Sequence, residues 1–228
     1  MSLPTTDDAE LRTSDTEQEM WDLAEEGDPA EARRAYPSGW LWLTGEESIR
    51  TLLAALLGVE TDARYGIEDL ASRSGLAESE VEAAIDALIS VGVLVADEGA
   101  YRVNEHSVVY RMAADLSDVV EETGAVEASD ASDDESGFEY LARLESVRLM
   151  LDALLETDPG QSLTQEDVHQ LTGVSRKGVW LHVETLVDLA VVEESGDEYV
   201  VAPFGPVLRL VQSLDAAVVG ATLAPSHP

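Results

Sequence analysis

Apolar residues recur every three to four positions in ESIRTLLAALLGV (47–59) and again in ESVRLMLDALLET (145–157). That spacing predicts two helices, each with one buried stripe. A shorter helical pattern follows each of them, IEDLASRS and QEDVHQLT. Gly75 and Gly173 end these patterns, where a tight turn favours a residue tolerant of positive φ. A third helix is predicted over ESEVEAAIDALISVG and over SRKGVWLHVETLVDLA. Two short β-rich runs then flank an acidic turn, VLV–ADEG–AYRV in one case and VVE–ESGDE–YVV in the other, and read as hairpins. A fourth helix opens near Ser107 and at Pro206, a residue suited to a first helical turn. Thr44 with Glu47 predicts a capping box for the first helix, and Thr164 an N-cap for the later short one.

These two runs are one pattern written twice. Residues 47–120 align with 145–218 at a constant offset of 98, without a gap and with 19 identities in 74 positions. An internal duplication follows, and it sets the domain organisation. Residues 1–35 are polar and acidic, and are expected to be disordered or loosely helical around Trp21 and Leu23. Domain one spans 36–120. It includes an aromatic extension with Trp40 and Trp42, apolar enough to dock on the domain. Residues 121–137 read as an acidic linker, 138–220 as domain two and 221–228 as a tail.

The first copy carries Glu68-Asp69-Leu70, Gly75-Leu76, Val81, Ile85, Leu88, Gly92-Val93-Leu94 and Tyr101-Arg102-Val103, and the second keeps most of the pattern. This string resembles the winged helix-turn-helix superfamily, with regulators of the MarR, ArsR and TrmB kind as its nearest company. The resemblance covers about 150 residues. It implies a mainly α fold with small β-hairpin wings, in two duplicated winged helix-turn-helix domains. It also implies that the third helix of a copy enters the DNA major groove by its N-terminal part. The same fold serves DNA, RNA and protein contact, so function has to come from the residues on that helix.

Charge changes the picture. Forty-seven acidic residues stand against thirteen basic ones, for a formal net charge of −34, and Lys177 is the lone lysine. An acidic surface ordinarily repels phosphate. One lysine beside twelve arginines, amid dense carboxylates, resembles the bias of extreme halophiles, especially haloarchaea. In molar salt the Debye length falls to about 3 Å, and net charge then says little about partners. There is no cysteine, hence no disulfide and no thiolate chemistry. The first residues show no signal-peptide pattern, and no apolar run approaches the roughly 20 residues of a membrane span. The expectation is a cytoplasmic, nucleoid-associated protein without membrane contact.

The third helices diverge. The first offers Ala77, Glu78, Ser79, Glu80, Glu82 and Asp86, which phosphate would repel. The second offers Ser175, Arg176, Lys177, Trp180 and His182. Arginine and lysine contact guanine edges or phosphates, and Ser175 at the helix start is placed for a phosphate. These five residues are the candidate contacts to double-stranded DNA. Trp180 is equally suited to packing inside the domain or on a partner, and the acidic wing ESGDE does not favour DNA. The pair Arg33-Arg34 reads first as a surface pair at a helix end, and second as an arm that touches DNA or acidic protein. His106, His169, His182 and His227 lack metal spacing, and no nucleotide-binding or catalytic-triad motif occurs. No enzyme activity, cofactor or metal is therefore expected. Two readings remain. The first is a transcription regulator whose domain two reads DNA while domain one makes dimer or partner contacts. The second is a non-catalytic protein–protein adaptor, similar to the kleisin-interacting subunits of chromosome condensation complexes. The wide apolar faces of the fourth helices predict a homodimer.

Overall fold

The computed structural model describes residues 10–126 and 135–223. Two short helices lead, α1 (Glu17–Glu26) and α2 (Pro29–Ala35). The first half continues with α3 (Gly39–Gly45), α4 (Glu47–Leu56), α5 (Ile67–Ser74), α6 (Glu78–Ser90), β1 (Leu94–Asp97), β2 (Ala100–Val103) and α7 (Val108–Glu122). The second half holds α8 (Gly137–Arg143), α9 (Glu145–Leu154), β3 (Ser162–Thr164), α10 (Gln165–Thr172), α11 (Arg176–Asp188), β4 (Val192–Ser195), β5 (Glu198–Val201) and α12 (Pro206–Leu223). Apart from β3, each element from α8 onward begins 98 residues after one in the first half, starting with α3. The protein is thus mainly helical with two small antiparallel sheets. Of the expected linker, 121–137, residues 127–134 lie outside the described residues, as does the tail from 224, while its ends are helical, in α7 and α8.

Local chemistry accounts for the elements. In α4 the buried residues are Ile49, Leu52, Leu53 and Leu56, one stripe at helical spacing. In α6 they include Val81, Ala84, Ile85 and Leu88, and in α11 they are Val179, Val183 and Leu186. Thr164 caps α10, accepting from the Asp167 N–H. Gly75 and Gly173 close α5 and α10 in the left-handed region, with φ of 73° and 70°. Each hairpin turns through positive φ, at Glu98-Gly99 in one and Gly196 in the other. Such turns match the twist of the paired strands. The second hairpin gains β3, giving the order β3-β5-β4, whereas the first has only a bridge between Tyr65 and Tyr101 in that place.

Three expectations are corrected. Thr44 does not cap α4. It lies buried inside α3, donating its hydroxyl to Trp40 O at 2.8 Å, and Glu46 occupies the cap position. Of the two alternatives for residues 10–35, disorder is corrected: a helix does form around Trp21 and Leu23, as α1, α2 follows it, and the segment buries Leu11, Met20, Ala30 and Ala32. Arg33 is not a surface residue. It is 1 % exposed and reaches Asp152 at 2.5 Å, while Arg12 reaches the other oxygen of Asp152 at 2.6 Å. Both arginines also pair with Glu156. A carboxylate as deeply buried as Asp152 needs such partners, and they come from a segment some 120 to 140 residues earlier.

The halves interlock by reciprocal contacts. Helix α3 of the first half packs on α9 and α12 of the second, and α8 of the second packs on α7 and α4 of the first. Gly39 lies so close to α12 that a Cβ there would come within 2.4 Å of Asp215 O. The same atom at Gly137 would clash with Ser117 O of α7. Asp215 also accepts from the Trp40 N–H at 3.3 Å, as Ser117 accepts from the Phe138 N–H at 3.1 Å. Burial pushes the Asp215 carboxyl above its ordinary range, although the N–H groups of Trp40 and Gly39 oppose this. Trp40 and Phe138 meet edge to face, with ring centroids 6.3 Å apart. One continuous cluster of buried apolar side chains runs through both halves.

Helices α7 and α12 pack against each other. Of the apolar faces that suggest a homodimer, Val109, Leu116 and the buried stripe of α12 are covered within one chain, whereas Val108 stays 51 % exposed. By length and composition alone α12 is also apolar enough to cross a membrane, with a mean hydropathy of 1.2 over 18 residues. Its buried stripe of Val207, Leu208, Val211, Leu214 and Val218 is turned into this packing.

Candidate nucleic-acid interface

The candidate residues sit at the start of α11, just past the left-handed turn at Gly173. Ser175 is the N-cap and accepts from the Gly178 N–H at 3.1 Å. Its side chain is thus engaged with its own helix. The buried stripe of Val179, Val183 and Leu186 faces the core and leaves Arg176, Lys177 and Trp180 on the outside. Trp180 is 63 % exposed and its neighbour Leu181 49 %, unusual exposure for large apolar side chains. His182 is half-buried, so it stands back from this outer face.

The two cations have different environments. Lys177 is exposed and forms no ion pair among the described residues. Arg176 is also exposed, yet it binds Glu166 of α10 through two parallel hydrogen bonds, Nε to Oε2 at 2.5 Å and Nη2 to Oε1 at 2.7 Å. Such a fork holds the guanidinium plane in place. The hydrogen bond from Arg176, with a second from Gln170, holds the Glu166 carboxyl down at about 2. The Arg176 charge is therefore balanced in the resting structure. Glu193, Glu194 and Glu198, on the strands of the second hairpin, add acid nearby in the chain, and Glu198 accepts from the Ser162 hydroxyl.

The equivalent face of α6 has no cation. Glu78 and Glu82 stand where α11 has Arg176 and Trp180, and Glu80 is spent on the Ala77 N–H at 2.8 Å. The turns differ as well. Nothing approaches Gly75, whereas a Cβ on Gly173 would fall 2.4 Å from Ala30 N and 2.5 Å from Asp28 Oδ1. Helix α2 thus seals the turn before α11, and Arg33 Nε donates to Leu171 O at the end of α10. Sequence reasoning missed this support. Its only visible trace is the Arg33-Arg34 pair, which pattern alone assigns to the surface. Among the described residues no cluster of His, Asp or Glu suits a metal ion. Comparison with protein-family models, with curated proteins and with solved structures finds no match to this chain.

Proposed function

We propose that the protein is a DNA-binding transcription regulator of a halophilic archaeon, made of two duplicated winged helix-turn-helix domains in one chain. Domain two reads double-stranded DNA through the N-terminal half of α11. Domain one, whose α6 is acidic, makes the contacts to a second copy or to a partner protein. The protein works in the cytoplasm, on the nucleoid. The observation that carries this reading is the contrast between the two third helices. In a chain with 47 acids, α11 exposes Lys177, Arg176 and Trp180 together, and α6 exposes none of their kind. In molar salt the surrounding carboxylates repel DNA over only about 3 Å. Affinity then holds or rises as salt increases, opposite to the usual steep loss. The test is genome-wide occupancy of the tagged protein beside an Arg176→Ala/Lys177→Ala double variant. Sharp promoter peaks that vanish in the variant are expected. Unchanged peaks in the variant overturn the reading.

One observation favours the adaptor reading instead. Trp180 and Leu181 form an exposed apolar pair next to an arginine already balanced by Glu166, and aromatic anchors of this kind dominate protein interfaces. Under that reading Trp180→Ala abolishes co-purification of a partner, and neither protein form shows promoter peaks.

A further inference from the structure

Between the halves lies a half-open cleft of about 430 Å³, walled by α3, α4 and α6 on one side and α9 on the other. Its lining is mostly apolar and includes Leu41, Trp42, Ile49, Ala83 and Leu149. Set into the α9 wall is Arg148, only 8 % exposed. Its guanidinium makes one hydrogen bond, from Nη1 to Ala142 O, and pairs with no carboxylate among the described residues. The nearest candidate, Glu145, is taken by Arg34 at 3.0 Å. Burial, and after it the charge of Arg50, lowers the Arg148 pKa from its ordinary value. The charges of Glu145 and Glu47 offset this in part, but neither lies at ion-pair distance. A buried cation so placed is costly, and an apolar pocket with such a group is the usual form of a small-molecule site.

The cleft at the equivalent place in the other half sharpens the point. It is smaller, about 240 Å³, and holds Thr51 and Glu139 where the first has Leu149 and Leu41. It holds two arginines. Arg143 pairs with Glu135 at 3.3 Å, and Arg50, the counterpart of Arg148, is satisfied by the carbonyls of Thr44 and Gly45, with Glu47 at 3.8 Å. Capping the preceding helix therefore explains Arg50 fully. It accounts for only one bond of Arg148, and it does not account for the apolar walls around it.

We propose that the larger cleft binds a small apolar carboxylic acid, aromatic or medium-chain, whose carboxylate pairs with Arg148 and whose body lies on Leu41, Trp42, Ile49 and Leu149. The lining also carries Glu46, Asp86 and the Arg34–Glu145 pair. The first two acids, unpaired among the described residues, select against a second negative charge on the ligand. A ligand here touches both halves at once. The proposal does not depend on what α11 contacts.

The experiment is calorimetric titration of the full chain in molar KCl with 2-naphthoate, octanoate, acetate and the neutral 2-naphthamide. Binding of 2-naphthoate or octanoate is expected, and the tighter of the two identifies the ligand as aromatic or acyl. Acetate and the amide should bind weaker by about tenfold or more, the weight of a charge-assisted pair. Arg148→Met should lose binding by a similar factor, whereas Arg50→Met should retain it. Because Arg148 also caps α8, that variant risks unfolding. Ala83→Trp, which fills the cleft mouth from an exposed helix position, supplies the second arm and should abolish binding while leaving the melting temperature unchanged. Equal affinity for acid and amide, undiminished binding by Ala83→Trp, or no binding of either larger acid overturns the proposal.

Discussion

Helices α6 and α11 are built on the same buried stripe, preceded by the same left-handed glycine and packed on equivalent elements, yet their exposed N-terminal faces and the turns before them differ. The first shows carboxylates and an open turn. The second shows Lys177, the Arg176–Glu166 fork and Trp180, and its turn is sealed by α2. The buried positions differ in parallel. Asp152 and Glu156, which hold Arg12 and Arg33, stand where the first half has Ala54 and Gly58. The buried ion pairs of the N-terminal segment thus reach one half only, the half with the cationic helix. Positions that build a scaffold tolerate little change, whereas surface positions and a few buried ones are free to specialise. Asymmetry between the two halves, more than any motif in either, is what the proposed function rests on.

The largest test of that asymmetry is Asp152→Ala. Removing this carboxylate leaves two buried guanidinium groups facing each other with only the partly exposed Glu156 to share. Breaking a buried pair by removing one partner costs about 3–5 kcal/mol. Chemical denaturation in molar KCl should show a loss of that size. The equivalent change in the first half, Ala54→Ser, touches no ion pair and should lie within about 1 kcal/mol of the parent. A loss under about 1 kcal/mol for Asp152→Ala would mean that the N-terminal segment does not hold the second half.

The paired glycines come next. Gly75→Ala meets open space, so its cost is that of a left-handed alanine, about 1–2 kcal/mol. Gly173→Ala incurs the same backbone cost and in addition must displace α2 at Ala30 and Asp28, for a total of about 3 kcal/mol or more. The difference between the two melting midpoints measures the seal directly. Equal losses would show that α2 yields without resistance.

Much of this was legible from the sequence, and the misses have physical causes. The apolar stripes, the αL glycines, the Thr164 cap and the hairpins are local features, and each follows from residues within a few positions. The correspondence of α3 with α8 was missed because it rests on Ser38-Gly39-Trp40 and Ser136-Gly137-Phe138, a signal too short to stand out. The same brevity hid β3, only three residues long. The candidate residues Ser175, Arg176, Lys177 and Trp180 do lie together at the start of α11, with His182 behind them. Their state could not be read, because the Arg176–Glu166 fork spans a turn. Nor could the Arg12–Asp152 bond, since no pattern in a chain links an arginine to a carboxylate 140 residues away.

The smallest expected effect bears on the proposed DNA contact itself. If Arg176 reaches DNA, it must leave Glu166 or share its donors, and the fork competes with the base or phosphate. Glu166→Gln should then raise DNA affinity by about threefold to tenfold, measured by fluorescence anisotropy at constant salt. Glu68→Gln, the matching change beside the acidic α6, should leave affinity unchanged. The competition has a defined pH range. The folded-state pKa of Glu166 is depressed from an ordinary 4.5 to about 2, so the stabilisation by the fork is fully present above the ordinary value and is lost as pH falls toward 2. Between pH 5 and 8 the fork is intact and the affinity should show no step from this pair. Carbon-detected NMR of the Glu166 carboxyl provides the direct check. It should titrate near 2 in the parent and return toward 4.5 in Arg176→Ala. If Glu166→Gln lowers DNA affinity, then Glu166 positions Arg176 for binding instead of withholding it, and the fork belongs to the reading surface.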